Sequence, residues 1–308
     1  MSLARLDSPV VLIIFNRPDA TARVFAEIAR ARPGKLLVVA DGPRADRPGE
    51  DAKCAQARSI IERVDWQCEV LLNYAESNLG CKRRLTSGIS WAFEQVPEAI
   101  FLEDDCLPHP TFFAFCEQLL QRYRDDQRVS QIGGANFQFG RNRTAASYYF
   151  SRYHHVWGWA SWRRAWQNYD GDLAMWPEIR ASGRLAAVIP DAAERAYWTK
   201  ILDAVHGGKI DTWDYQWNLS SWAQGRVSIV PAVNLISNIG FGAEATHTQV
   251  SSILAGIAVE PMPFPLQHPR VVLPDIHTDA YTARTMFSGG SLGQRILRKV
   301  RAIRRRIA

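Results

Sequence analysis

Cysteine is scarce. The 308-residue chain holds five, Cys54, Cys68, Cys81, Cys106 and Cys116, widely spaced and without a Cys-x-x-Cys pair. That pattern excludes a disulfide framework and a cysteine zinc site, so the thiols are expected to be reduced and packed as small hydrophobes. Long apolar runs are also missing. Val10 to Phe15, the longest near the start, falls far short of the ~20 residues of a membrane span. Met1 to Pro9 lacks the apolar stretch of a secretion signal. These absences lead to the expectation of a soluble, cytoplasmic protein. Charged residues at 22% and apolar residues at 47% exclude a disordered chain and leave enough material for a large core.

Acid is absent from residues 291–308, which carry Arg295, Arg298, Lys299, Arg301, Arg304, Arg305 and Arg306. Taking those seven from the formal net charge of +6 leaves −1, so the body is near neutral and a nucleic-acid partner is excluded. Ile296, Leu297, Val300, Ile303 and Ile307 recur at helical spacing among those cations. The tail is expected to form a basic amphipathic helix that brings the protein peripherally to an anionic membrane surface, at the inner face of the plasma membrane.

The first third alternates strand and helix signals. Val10–Phe15 predicts a buried strand, followed by a helix to Ala31 with Asp19 as N-cap. Leu36–Ala40 predicts a second strand ending in the turn Asp41-Gly42-Pro43. A polar helix to about Val64, a strand over Cys68–Tyr74, a helix over Cys81–Gln95 and a strand over Ala99–Leu102 follow. This alternation predicts an α/β fold with a mainly parallel twisted sheet covered on both faces. Ligands of such sheets bind beyond the carboxyl ends of the strands. The conspicuous polar residues stand there: Asn16 and Arg17, Asp41, and the triplet Glu103-Asp104-Asp105. Three adjacent acids repel one another, and a divalent cation, Mg2+ or Mn2+, relieves that repulsion. A solvated acidic turn ahead of the helix from Pro110 is the plainer alternative.

From Tyr148 to Trp222 the chain concentrates its tryptophans: Trp157, Trp159, Trp162, Trp166, Trp176, Trp198, Trp213, Trp217 and Trp222. Most are expected to be packing residues, with Trp159 kept as an acceptor platform. His154-His155 cannot share a metal if the pair lies on a strand, since neighbours there point to opposite faces. From about Ser252 the prolines 261, 263, 265, 269 and 274 predict an irregular surface wrap.

Pro9 to Arg17, then Val39-Ala-Asp41-Gly42, then Leu102 to Asp105 with Pro110-x-Phe112-Phe113, resemble the GT-A glycosyltransferases. The nearest likeness is to the N-acetylglucosaminyltransferase I-like branch of nucleotide-diphospho-sugar transferases. Through Trp157-Gly-Trp159 and Thr212-Trp213-Asp214 it extends over roughly residues 8 to 248. It implies a GT-A domain over 1–248, with a nucleotide-sugar half (1–125) and an acceptor half (126–248), then a Pro-rich wrap (249–290) and the basic tail (291–308). It also implies roles. Asn16, Arg17 and Asp41 lie around the base and ribose of a UDP-sugar. Lys82, where the family has His, or the nearby Arg84, contacts the nucleotide. Glu103 and Asp104 hold hydroxyls, and Asp105 ligates the metal. Asp214, with Asp211 as runner-up, is the catalytic base. Separately from the resemblance, the glycine-containing segment Gly240 to Thr248 offers His247 as a candidate metal or phosphate contact. The implied reaction is inverting, metal-dependent transfer to a hydroxyl of a glycan or lipid-linked acceptor in cell-envelope polysaccharide synthesis. Two alternatives remain. A sugar-1-phosphate nucleotidylyltransferase expects a glycine-rich loop after the first strand, which Phe15-Asn16-Arg17-Pro18 lacks. A non-catalytic binding module would have no need of the triplet, Asp41 and Asp214 together.

Overall fold

The computed structural model describes residues 5–141, 143–240 and 257–287. Its ten strands are β1 (Val10–Ile14), β2 (Lys35–Ala40), β3 (Glu69–Tyr74), β4 (Glu98–Glu103), β5 (Cys106–Pro108), β6 (Val129–Gly133), β7 (Tyr148–Ser151), β8 (Trp159–Trp162), β9 (Val227–Pro231) and β10 (Ile236–Asn238). Eight form one sheet in the order β3-β2-β1-β4-β8-β6-β9-β7, and β10 pairs with β5 in a small antiparallel ribbon. β3, β2, β1, β4, β6 and β9 run one way; β8 and β7 run against them. The α/β class, a mainly parallel twisted sheet with helices on both faces, is the one expected for a Rossmann-like fold of the GT-A type. The sheet runs unbroken from the first third into the tryptophan-rich half, because β8 joins β4 to β6.

The helices are α1 (Pro18–Ala31), α2 (Glu50–Ser59), α3 (Cys81–Gln95), α4 (Thr111–Arg122), α5 (Arg163–Trp166), α6 (Trp176–Ser182), α7 (Leu185–Val188), α8 (Ala192–His206), α9 (Asp214–Ala223) and α10 (Ile276–Thr282). The central strands read as unbroken apolar runs because both faces are covered. Strand alternation then divides them. Val10, Leu12 and Ile14 face one core with Val24, Phe25 and Phe112; Val11 and Ile13 face the other with Leu85, Ile89, Trp159 and Trp217. A third cluster, built on Trp176, Trp198 and Trp222, lies among α6, α8 and α9.

Three expectations needed correction. Asp19 does not cap α1: Arg17 is the N-cap and Pro18 takes the first turn, leaving Asp19 in that turn. There its charge favours the positive helix end. The acidic triplet does not precede α4 directly, because β5 comes between. The wrap is irregular over 257–275, yet Asp275 then caps α10 by accepting from the amides of His277 (3.0 Å) and Thr278 (2.9 Å). The segment Phe241 to Ser252 and the tail 291–308, with their expected roles, lie outside the described residues.

Candidate active site

Parallel register assembles the site. Ile14 stands opposite Ala40 and Ile13 opposite Glu103, so β1, β2 and β4 end level and deliver residues 15–17, 41 and 103–105 to one edge. Alternation then splits the triplet. Glu103 falls on the side of α3 and α9, whereas Asp104 turns to β1, accepting from the Phe15 amide at 3.2 Å. Arg17 joins the last two acids, at 2.8 Å from Asp105 Oδ2 and 3.5 Å from Asp104 Oδ1. The ribbon strand β10 closes the far side: the Ile239 amide donates to the Asp105 carbonyl at 2.8 Å. Gly240 comes so near that a Cβ there would lie 2.2 Å from Asp105 Oδ2, so only glycine fits.

The charges are unbalanced. Burial, followed by Asp105, Asp104 and Asp214, pushes the Glu103 carboxyl well above the usual range. Burial and Asp105 raise Asp104 in the same direction, against the opposing pull of Arg17. Asp214 therefore belongs to the same electrostatic cluster as the triplet, although 109 residues separate it from Asp105 in sequence. It opens α9, and the Thr212 hydroxyl donates to its Oδ1. Among the described residues no three His, Cys, Asp or Glu side chains converge on a metal position. The donor set still fits a hard divalent cation: oxygen ligands, surplus negative charge, and Asp105 partly open at 18% side-chain exposure. Such an ion would take Asp105 and complete its shell with water and substrate phosphate oxygens.

The other expected site residues separate into two groups. Asn16 stands at the edge, donating from Nδ2 to Glu50 Oε1 at 2.8 Å. Asp41 is there too, but its Oδ1 accepts from the amides of Gly42 and Leu79, both at 2.9 Å, and its Oδ2 from Asn78 at 2.9 Å. Its first structural task is to fold the 77–80 loop against β2. Arg84 is buried and donates to Asn73 Oδ1 at 2.8 Å, so it braces β3 instead of contacting a ligand. Lys82 reaches Asp172 at 3.0 Å, joining the start of α3 to the tryptophan-rich half. Asp211 accepts from the Lys82 amide at 3.3 Å at the N-terminus of α3, where its charge is favourable. His247 lies outside the described residues.

Trp159 cannot be an acceptor platform. It is 1% exposed and stacks on Phe101 at 4.5 Å between ring centroids. The neighbour on the other side of Gly158 is the less buried one. Gly158 has φ +55°, and a Cβ there would meet Ile236 at 2.4 Å, so the chain turns where only glycine fits. Trp157 is thereby left half-buried on the wall of a pocket of about 170 Å3 that also contains Asp214, His155, Tyr215 and Phe287. His154 turns inward to Ser130 Oγ at 2.7 Å, while His155 packs edge-on to Phe137, so the pair shares no ligand position. Burial lowers His155 to about 4, leaving its ring neutral at pH 7. Trp159→Ala should lower stability by ~3–5 kcal/mol. Trp157→Ala should cost less, because that ring is only partly buried against the core. Denaturation curves of the two variants distinguish the positions.

Glu50 had no signal in the sequence. It is 6% exposed on α2 and accepts from Asn16 and from the Arg44 amide (2.7 Å) and guanidinium. The Arg44 hydrogen bonds, outweighing the opposing effect of burial, hold its carboxyl down to about 2. A depressed carboxylate stabilises the fold above its unfolded range and loses that contribution as pH falls toward 2. Since Arg44 is 37% exposed, solvent screening limits the loss in Glu50→Gln to about 1 kcal/mol at pH 7. The difference from wild type should vanish in denaturation curves recorded near pH 2; an equal difference there would count against the clamp.

No protein-family model matches the chain, and no curated protein does. Solved structures with similar chains include the mannosyltransferase PcManGT from Pyrobaculum calidifontis in complex with GDP-Man and Mn2+. It has 12% identity and a TM-score of 0.39, over 72% of this chain and 70% of that one. A UDP-glucose pyrophosphorylase complexed with UDP-glucose shows 10% identity and a TM-score of 0.35, over 73% and 90%. Mouse xyloside xylosyltransferase 1, in its apo form, shows 11% identity and a TM-score of 0.32, over 70% and 81%.

Proposed function

We propose that the protein is a nucleotide-sugar glycosyltransferase that inverts the anomeric centre of a UDP-linked donor. The observation that carries this reading is the meeting of Glu103, Asp104, Asp105 and Arg17 at the carboxyl edge of the sheet, where the charge of Asp214 also reaches Glu103. The donor diphosphate lies across the ends of β1 and β4, where Arg17 neutralises charge that accumulates on the departing UDP. A divalent cation, Mn2+ or Mg2+, held by Asp105 would add Lewis-acid stabilisation of that leaving group. Asn16 and Asp41 border the base and ribose, and Glu103 and Asp104 take sugar and ribose hydroxyls.

The acceptor hydroxyl enters from the α9 side. Asp214 removes its proton as the hydroxyl oxygen attacks the anomeric carbon, on the face opposite the breaking bond to the diphosphate. Asp214 is favoured over Asp211 because its charge reaches Glu103, whereas Asp211 serves the N-terminus of α3. Trp157 walls the pocket beside Asp214 and suits the apolar face of a glycan ring. The acceptor is a glycan or lipid-linked sugar of the cell envelope.

A nucleotidylyltransferase is the second reading, and the position of Asp214 separates the two. Nucleotidyl transfer to a sugar phosphate has no need of a base facing an aromatic-walled acceptor pocket. A panel of UDP-, GDP- and dTDP-sugars, scored by slow donor hydrolysis with and without Mn2+, tests the assignment. Release of UDP from one UDP-sugar supports transfer; pyrophosphate-dependent formation of UTP would establish the alternative.

A further inference from the structure

A second concavity, of about 860 Å3, opens among α6, α7 and α8, lined by a different set of residues from the acidic edge. Trp176, Ile179 and Leu185 form its apolar floor, and Arg195, Lys200 and Lys209 stand on its rim. Its acid, Asp203, is already engaged by Arg180 at 2.8 Å and by the Trp176 indole N–H at 3.0 Å. Among the described residues neither Lys200 nor Lys209 forms an ion pair. Arg195 spends hydrogen bonds on the carbonyls of Ile189 and Pro190 but keeps its charge. An apolar floor under unopposed cations is complementary to an anionic amphiphile, with its phosphate on the rim and its first carbons on the floor.

The same helix packs the last described residue, Phe287. On the side of α8 away from the groove, Tyr197 and Trp198 pack against Phe287, at 5.7 and 5.0 Å between ring centroids. Residues 291–308, with seven cations and no acid, begin four positions later. We infer that the groove among α6, α7 and α8 seats an anionic phospholipid of a bilayer, on one side of the helix whose other side packs Phe287. The site is independent of the transferase reading, and its variants leave UDP-sugar binding unchanged.

Co-sedimentation of the full-length chain with vesicles tests it, comparing phosphatidylcholine alone with equal parts of phosphatidylcholine and phosphatidylglycerol. Wild type should sediment with the anionic vesicles only. Lys200→Glu combined with Lys209→Glu should weaken partition about tenfold or more. Ala196→Trp, which fills the groove without changing charge, should weaken it about threefold or more, each at a wild-type Tm. Unchanged partition in the charge variant overturns the inference. So does a loss confined to the charge variant, which would mean diffuse attraction without a seated lipid. Soluble glycerol phosphate that blocks sedimentation at micromolar concentration would identify a free-phosphate site and overturn it equally.

Discussion

Asp214→Asn should leave UDP-sugar binding intact and lower kcat for transfer by on the order of 10²–10⁴-fold, the usual contribution of a positioned general base. Asparagine keeps the shape of the side chain and can still accept from the Thr212 hydroxyl, so α9 should start in the same place. What it cannot do is take up a proton. The loss should therefore fall on kcat and not on either KM. Asp211→Asn supplies the contrast. Its carboxylate accepts from the Lys82 amide at the N-terminus of α3, so the change should weaken the fold slightly and leave kcat within a few-fold. Reversal of that order would move the base to Asp211.

Arg17→Ala should weaken donor binding and slow transfer together, by on the order of 10²–10³-fold in kcat/KM. Arg17 is the cation in contact with the acidic edge, 2.8 Å from Asp105, and charge on the departing diphosphate grows toward the transition state. Removing it also leaves Asp104 and Asp105 without their salt bridge, so Arg17→Lys is the informative companion. A lysine restores the charge without the two-pronged geometry and should recover part of the loss. Steady-state kinetics across both variants, with Tm as a check on folding, measures the effect. A wild-type kcat/KM in Arg17→Ala would remove Arg17 from the donor site.

The strands were legible because a parallel sheet covered on both faces leaves unbroken apolar runs, and β1, β2 and β4 are of that kind. α3 was read with its observed ends, since Gly80 precedes it and the residues it buries recur at helical spacing. The triplet was conspicuous because three acids after an apolar strand are costly without a partner. Other features depend on contacts distant in sequence. Glu50 meets Asn16 across 34 positions, and nothing local marks that pairing. Arg84 looks like a surface cation until β3 is laid beside α3. Trp157 and Trp159 are alike in composition, and the turn at Gly158 alone decides which of them faces the pocket. Asp214 stood ahead of Asp211 in the sequence by its Trp–Asp segment; the structure adds that Trp213 and Trp217 pack into the core and that the charge of Asp214 reaches Glu103.

The most direct test of the acidic edge as the donor site is calorimetric titration of a UDP-sugar into wild type and Asp105→Ala, each with and without Mn2+. Binding that requires the ion in wild type, and is lost in Asp105→Ala at an unchanged Tm, is the result expected. Equal affinity in both proteins, with or without the ion, would contradict the assignment of the donor to this edge.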